Sequence, residues 1–267
     1  MIFKSLILHS SLQISPERAT IISMRGFSKK ECSYDSYASE AIQAIRSDDG
    51  VRAQELAAKA YDLAPNPSER ARMARDIGNA CRHQGDYDEA KKWAAEAVEQ
   101  HQQLVEETPN RSTLRELGAS TAMLATIEFS QLLRIKESDT TPSEDDKMSA
   151  IAQNYRAALD AIIESRQHAE GLNRRVDQYE INFTARASFA ETLTGNRRRG
   201  LALGARATYL AGMSESPRLD TTDETIDKKE RYKMKTLALV RGLGTLAAGV
   251  IEPINRNAAK KIARKLI

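Results

Sequence analysis

Aromatic residues, cysteines and long apolar runs are all scarce in this chain, and each scarcity excludes something. Aromatics make up 5% of 267 residues and include one tryptophan, while glycine (13) and proline (7) are also sparse. With alanine recurring at helical spacing, that composition favours helices over sheet. The two cysteines, Cys32 and Cys81, fall in an N-terminal tail and inside a helical pattern, which reads as free thiols in a reducing compartment and no disulfide. No run reaches the roughly 18–20 apolar residues that span a bilayer. The longest candidate, Leu237 to Ile251, is short and interrupted by Arg241. A soluble, cytoplasmic protein is therefore expected. Excess charge is missing too: 40 basic against 37 acidic residues leave a net charge of +3, too weak a field to require nucleic acid.

What is present is charge, 29% of the residues, laid out on amphipathic helices. Periodic apolar and alanine positions predict helices over about 35–47, 50–64, 68–84 and 87–107, with breaks at Gly50, Pro65, Gly85 and Pro109. Two longer ones follow at about 111–137 and 144–170, parted by a loop at Asp139 to Ser143 that carries Pro142. A further pair, 173–194 and 197–213, turns at Gly195-Asn196. A polar linker with Pro217 leads to a long helix from Thr222 to about Gly249. After Pro253, Ile254, Ala258, Ile262 and Leu266 recur every four residues among Lys260, Lys261, Arg264 and Lys265, a basic amphipathic end helix. Residues 1–33 read as a disordered tail, an upstream extension with Met24 as the true start, or a targeting segment, since Glu17 is the one acid in the first 30 residues. The domain organisation is thus a tail (1–33), a helical array (34–213), and a linker, long helix and basic end helix (214–267).

Within the array, Ile77-Gly78, Ala90 and Ala97 place small residues where two helices would cross, and Gly85-Asp86-Tyr87 forms the turn between them. Ala53, Ala57, Ala60 and Pro65 repeat the second-helix pattern upstream, and Leu114, Leu117 and Gly118 repeat the first-helix pattern downstream. This arrangement resembles the tetratricopeptide (TPR) repeat family. The resemblance is fullest over 66–102, partial over 35–65 and least over 110–213, where Gly200 and Gly204 replace alanines; 1–33 and 222–267 lie outside it. It implies an all-α fold of antiparallel hairpins stacked as a TPR-like right-handed superhelix, an α-solenoid, with C-terminal capping helices.

It also implies a groove lined by the first helix of each pair. Carried over from Gly78 and Gly118, that face holds Arg72, Arg75, Asp76, Asn79, Arg82 and Arg115. Arg75 and Asn79, one turn apart, resemble the clamp with which one subgroup holds a peptide's terminal carboxylate. The clamp is incomplete, because Ala119 stands where a second Asn would, and Ala38 and Ile42 occupy the face in the first hairpin. A solvated face of arginines balanced by Glu69, Asp76 and Glu116 is the competing reading.

No catalytic or metal constellation is legible. His9, His83, His101 and His168 fit no ligand spacing, and there is no phosphate loop or nucleophile elbow. Gly242-Leu243-Gly244-Thr245-Leu246-Ala247 imitates a dinucleotide fingerprint but has too little chain after it for the rest of that unit. It reads as a close helix contact. Expected, then, is a non-enzymatic adaptor that binds a protein or peptide segment in its groove, without cofactor or metal and of undetermined oligomeric state. The alternative is a peripheral binder of nucleic acid or anionic membrane through the basic end helix, with Arg174-Arg175 and Arg197 to Arg199 contributing.

Overall fold

The computed structural model describes residues 33–134, 143–168, 178–213, 228–252 and 255–266. These residues form ten helices and no strand: α1 (Tyr34–Arg46), α2 (Gly50–Asp62), α3 (Pro67–Gln84), α4 (Tyr87–Glu107), α5 (Arg111–Arg134), α6 (Ser143–Gln167), α7 (Gln178–Leu193), α8 (Arg197–Met213), α9 (Lys228–Ile251) and α10 (Arg256–Leu266). The tail, the linker with Pro217, the Thr222 helix start, Pro253 and the expected helical stretches 135–137 and 173–177 lie outside the described residues.

Local chemistry sets the helix ends. Asp49, Asn66 and Asp86 each accept a hydrogen bond from the backbone N–H three residues on, which satisfies one orphan donor of α2, α3 and α4. Pro67 fits the first turn of α3, where its missing N–H has no helical partner to lose. Asn110 and Thr113 cap α5 reciprocally: Asn110 Oδ1 accepts from Thr113 N, and Asn110 N donates to Thr113 Oγ1. Gly85 ends α3 in the left-handed region at φ 84°, which a Cβ would oppose. Gly195 adopts the same φ after α7.

Each helix packs on the next along the chain, and a second set of contacts skips one helix: α1 touches α3, α3 touches α5, α5 touches α7, and α7 touches α9. The odd-numbered helices therefore form one continuous row. Several contacts in the first two hairpins join residues 34 or 35 apart, among them Tyr61 Oη to Glu96 Oε1 at 2.6 Å, His83 Nδ1 to Asp48 Oδ1 at 2.6 Å and Gln84 Nε2 to the Gly50 carbonyl at 3.1 Å.

The core of the first hairpins is mostly alanine. Ala41, Ala53, Ala57, Ala80, Ala90 and Ala94 are buried around Leu56, Ile77 and Ile127, with Trp93 set edge-on to Tyr61 at 5.4 Å. Small side chains let backbones approach. At Gly78 a Cβ would lie 3.0 Å from the Ala90 carbonyl and 3.2 Å from Ala94 N; at Gly118 it would lie 2.9 Å from the Ala158 carbonyl. The second half packs larger groups, including Phe129, Tyr155 and Phe189. α10 closes that cluster by burying Ala259 and Ala263 and seating Ile262 and Leu266 against it. Gly242 and Gly244 mark close contacts of α9 with Thr208 of α8 and Leu266 of α10.

Glycine to alanine inside a helix normally stabilises by about 1 kcal/mol. At Gly118 the added methyl meets backbone rather than space, and overpacking of that kind costs about 1–3 kcal/mol. Gly118→Ala is therefore expected to lower the unfolding free energy in urea, by about 1 kcal/mol net. An increase would mean that α5 and α6 can part freely at this crossing.

Candidate functional site

Long polar side chains bridge every neighbouring pair in the odd-numbered row. Tyr34 of α1 donates to Glu69 of α3. Arg75 Nη1 of α3 donates to Glu116 Oε2 of α5 at 2.6 Å. Between α5 and α7, the Arg115 guanidinium lies 4.5 Å from the centroid of the Tyr179 ring, and Arg186 Nη1 donates to Thr126 Oγ1 at 2.7 Å. Arg241 Nη1 of α9 donates to Asn182 Oδ1 of α7 at 3.0 Å.

The candidate groove residues divide along this seam. Arg75 is 7% exposed, and its charge belongs to Glu116 and, at 4.0 Å, to Asp76. Arg115 pairs with Glu116 at 3.2 Å and is nearly as enclosed. Burial alone would push the Glu116 carboxyl up, but Arg75 and Arg115 together hold it down at about 2. Burial likewise pulls the Arg75 guanidinium down, and Glu116 overrides it, so that Arg75 is held charged. Arg72 and Asn79 are partly exposed, Arg72 being held by Glu69 at 3.4 Å. Asn79 turns its Oδ1 to Arg82, which donates to it through Nε at 3.2 Å and Nη2 at 3.0 Å. Arg75 and Asn79 are thus one turn apart but committed to different partners. In the first hairpin Ala38 is buried and Ile42 half-buried.

His101 of α4 is enclosed beside this frame, 1% exposed. Its Nδ1 lies 2.9 Å from the Ala97 carbonyl and 3.0 Å from Ser120 Oγ. A carbonyl can only accept, so Nδ1 carries the hydrogen and Nε2 is left as a buried acceptor without a partner. Burial, aided by Arg75, pushes the imidazole down to about 4. Cys81 is buried, and burial with Asp86 and Glu89 pushes its thiol up to about 11, which removes it as a nucleophile.

Charge between α6, α7 and α8 is handled differently. Glu180 and Glu191, eleven residues and three turns apart on α7, are fully buried, each between an arginine of α6 and one of α8. Arg166 and Arg206 reach Glu180 at 3.3 and 2.8 Å; Arg156 and Arg199 reach Glu191 at 3.2 and 3.4 Å. The basic residues of α10 are partly spent in the same way, Lys260 on Glu144 and Arg264 on the Leu133 carbonyl. Because its apolar side is packed inward, that helix has only charge to offer a surface. Arg174 and Arg175 lie outside the described residues. A cleft of about 380 Å³ between α4, α5 and α6, lined by Lys91, Glu128, Leu132, Lys147 and Ile151, carries mixed charge.

Among the described residues, no group of three or more histidine, cysteine or acidic side chains is placed to hold a metal ion, and no helix is long and apolar enough to cross a membrane. No protein-family model matches the chain, and no curated protein matches it. The seam thus stands on its own geometry. His101, Arg186 and Arg241 are the residues that sequence reading did not place there, whereas Glu116, expected only to balance a solvated face, is the partner of Arg75; Arg186 and Arg241 sit in no motif, and only the packing of α7 and α9 brings them to this row.

Two expectations follow. Arg75→Met leaves Glu116 charged and buried, and should cost about 3–5 kcal/mol in urea unfolding, whereas Arg75→Met/Glu116→Leu should recover most of that loss. Equal losses in the single and double variants would contradict the pairing. For His101 the folded value lies below the unfolded 6.5, so the unfolded chain binds the extra proton. Stability is then full above about pH 6.5 and falls towards pH 4. Wild type should be about 2 kcal/mol less stable at pH 5 than at pH 7, and His101→Gln should flatten that slope. The Glu116 contribution is lost only below about pH 4.5, so the two windows separate.

Proposed function

We propose that the chain is a non-enzymatic adaptor built on a TPR-like solenoid of helical hairpins, binding a peptide or protein segment along the row of odd-numbered helices. One observation carries this reading: the row from α1 to α9 is unbroken, and polar side chains run along its whole length. Contacts between residues 34 or 35 apart and the Gly85-Asp86-Tyr87 turn favour the repeat assignment over an irregular bundle. In this reading Arg75, Glu116 and Arg115 are frame, because a guanidinium already bonded to a buried carboxylate has little left for a ligand. Arg72, Asn79 and Arg82, partly exposed and outside that frame, are the contact residues. The cytoplasm is the proposed place of action.

Affinity capture from native lysate with wild type and Arg72→Ala/Asn79→Ala tests the proposal, since neither residue belongs to the buried pair. Proteins held by the row should be recovered at least about tenfold less by the variant, the loss expected for two charge-assisted or amide contacts. Identical recovery of every captured protein would remove the groove from consideration.

A further inference from the structure

Three partly buried arginines depart from the pattern by which most inter-helix guanidiniums of the described residues are neutralised. Arg75, Arg115, Arg156, Arg166, Arg199 and Arg206 each reach a glutamate. Arg82, Arg186 and Arg241, from α3, α7 and α9, have no carboxylate within ion-pair distance among the described residues. Their hydrogen-bond partners are all neutral. Arg82 donates to Asn79 Oδ1 and approaches His83 Nε2 at 2.9 Å. Arg186 donates to Thr126 Oγ1. Arg241 donates through Nε to the Leu266 carbonyl at 2.7 Å and through Nη1 to Asn182 Oδ1.

Asn182, which holds Arg241, stands one turn before Arg186 on α7, and Arg82 lies within electrostatic reach of both. Burial lowers the Arg241 guanidinium to about 10, with Arg186 as the next cause and Arg82 contributing; burial lowers Arg82 as well, again with Arg186 next. Arg186 acts on both of the others, and its Nε is buried with no partner. Around it the hydroxyl protons are already assigned. Thr126 Oγ1 has one hydrogen, which goes to the Ala122 carbonyl at 2.7 Å. It must then accept from both Arg186 Nη1 and Tyr155 Oη, the latter at 3.0 Å. The hydroxyls fix Arg186 without neutralising it.

Like charges partly withdrawn from water and held only by dipoles repel one another, and an anion that lies between them relieves the repulsion and takes up the unused N–H donors. We propose that Arg82, Arg186 and Arg241 form an oxyanion-binding site on the odd-helix row, which a phosphate or carboxylate group would occupy. The site is separate from the Arg75–Glu116 frame and stands whether or not a peptide occupies Arg72 and Asn79. The oxyanion is supplied either free, as a phosphate, or as the side chains of an acidic segment.

Isothermal titration and thermal unfolding of the full chain with inorganic phosphate, at ionic strength matched with sodium chloride, test the site. Wild type should bind phosphate and unfold at a higher temperature in its presence. Arg82→Gln, which removes one of three repelling charges and no buried pair, should unfold at or above the wild-type temperature without phosphate. It should also bind phosphate at least about tenfold more weakly. Arg186→Gln, checked for helicity by circular dichroism, should lose binding as well, while Arg52→Gln, an exposed arginine paired to Glu40, should keep it. Hexaglutamate that competes with phosphate in wild type assigns the anion to an acidic segment; hexaglutamate without effect assigns it to a free phosphate. If wild type and Arg82→Gln respond equally to phosphate, or wild type shows no response beyond sodium chloride, the site does not exist.

Discussion

The closeness of helix to helix is the constraint on which the rest of this structure depends. At Gly78 and Gly118 the facing backbone leaves no room for a methyl group, and the surrounding alanines are fully buried. Contact at that range gains dispersion from backbone as well as side-chain atoms, which lets helices with few large apolar residues hold together. It also fixes how far apart alternate helices stand. With small residues at the crossings, odd-numbered helices come within reach of each other's long side chains, and arginine, glutamate and tyrosine span the remaining distance.

That geometry explains why so much charge is buried in a protein of near-zero net charge. A guanidinium bridging two helices must leave water, and that burial is costly unless a carboxylate follows it. The α6, α7 and α8 layer meets the requirement with an excess of cation, two arginines to each of Glu180 and Glu191. The α3 and α5 pair meets it with Glu116 between Arg75 and Arg115. Arg82, Arg186 and Arg241 do not meet it, and hydroxyls, amides and the carbonyl end of α10 stand in for the missing anion. A helix C-terminus offers about half a charge, short of what three cations need.

Most of the architecture was legible in the sequence because it rests on local rules. Pro65, Gly85-Asp86 and Gly195-Asn196 are turn chemistry, readable without knowing the fold, and the described helices end within a few residues of where the periodicity puts them. Gly78 as a crossing point was legible for the same reason. Gly200 was read as a weakened alanine, yet its backbone carbonyl accepts from Ser188 Oγ at 2.6 Å and a Cβ there would collide with Thr192; the glycine permits an approach that alanine would obstruct. Helical spacing puts Arg75 and Asn79 on one side of α3. It could not say that Glu116, 41 residues on, would claim Arg75, because partner choice depends on the rotation of α5 about its axis.

The same limit separates frame from contact residues. A side chain that holds two helices together and one that waits for a ligand look alike in sequence, both being arginines on helices of the odd-numbered row. What distinguishes them is the charge of the partner. Where the partner is a buried carboxylate, displacing it for a ligand exposes an unpaired anion, and the exchange gains little. Where the partners are neutral amides, hydroxyls and carbonyls, an incoming anion gains the full interaction and strands nothing. On that criterion the proposed oxyanion site falls to Arg82, Arg186 and Arg241, while Arg75, bonded to Glu116, holds α3 to α5.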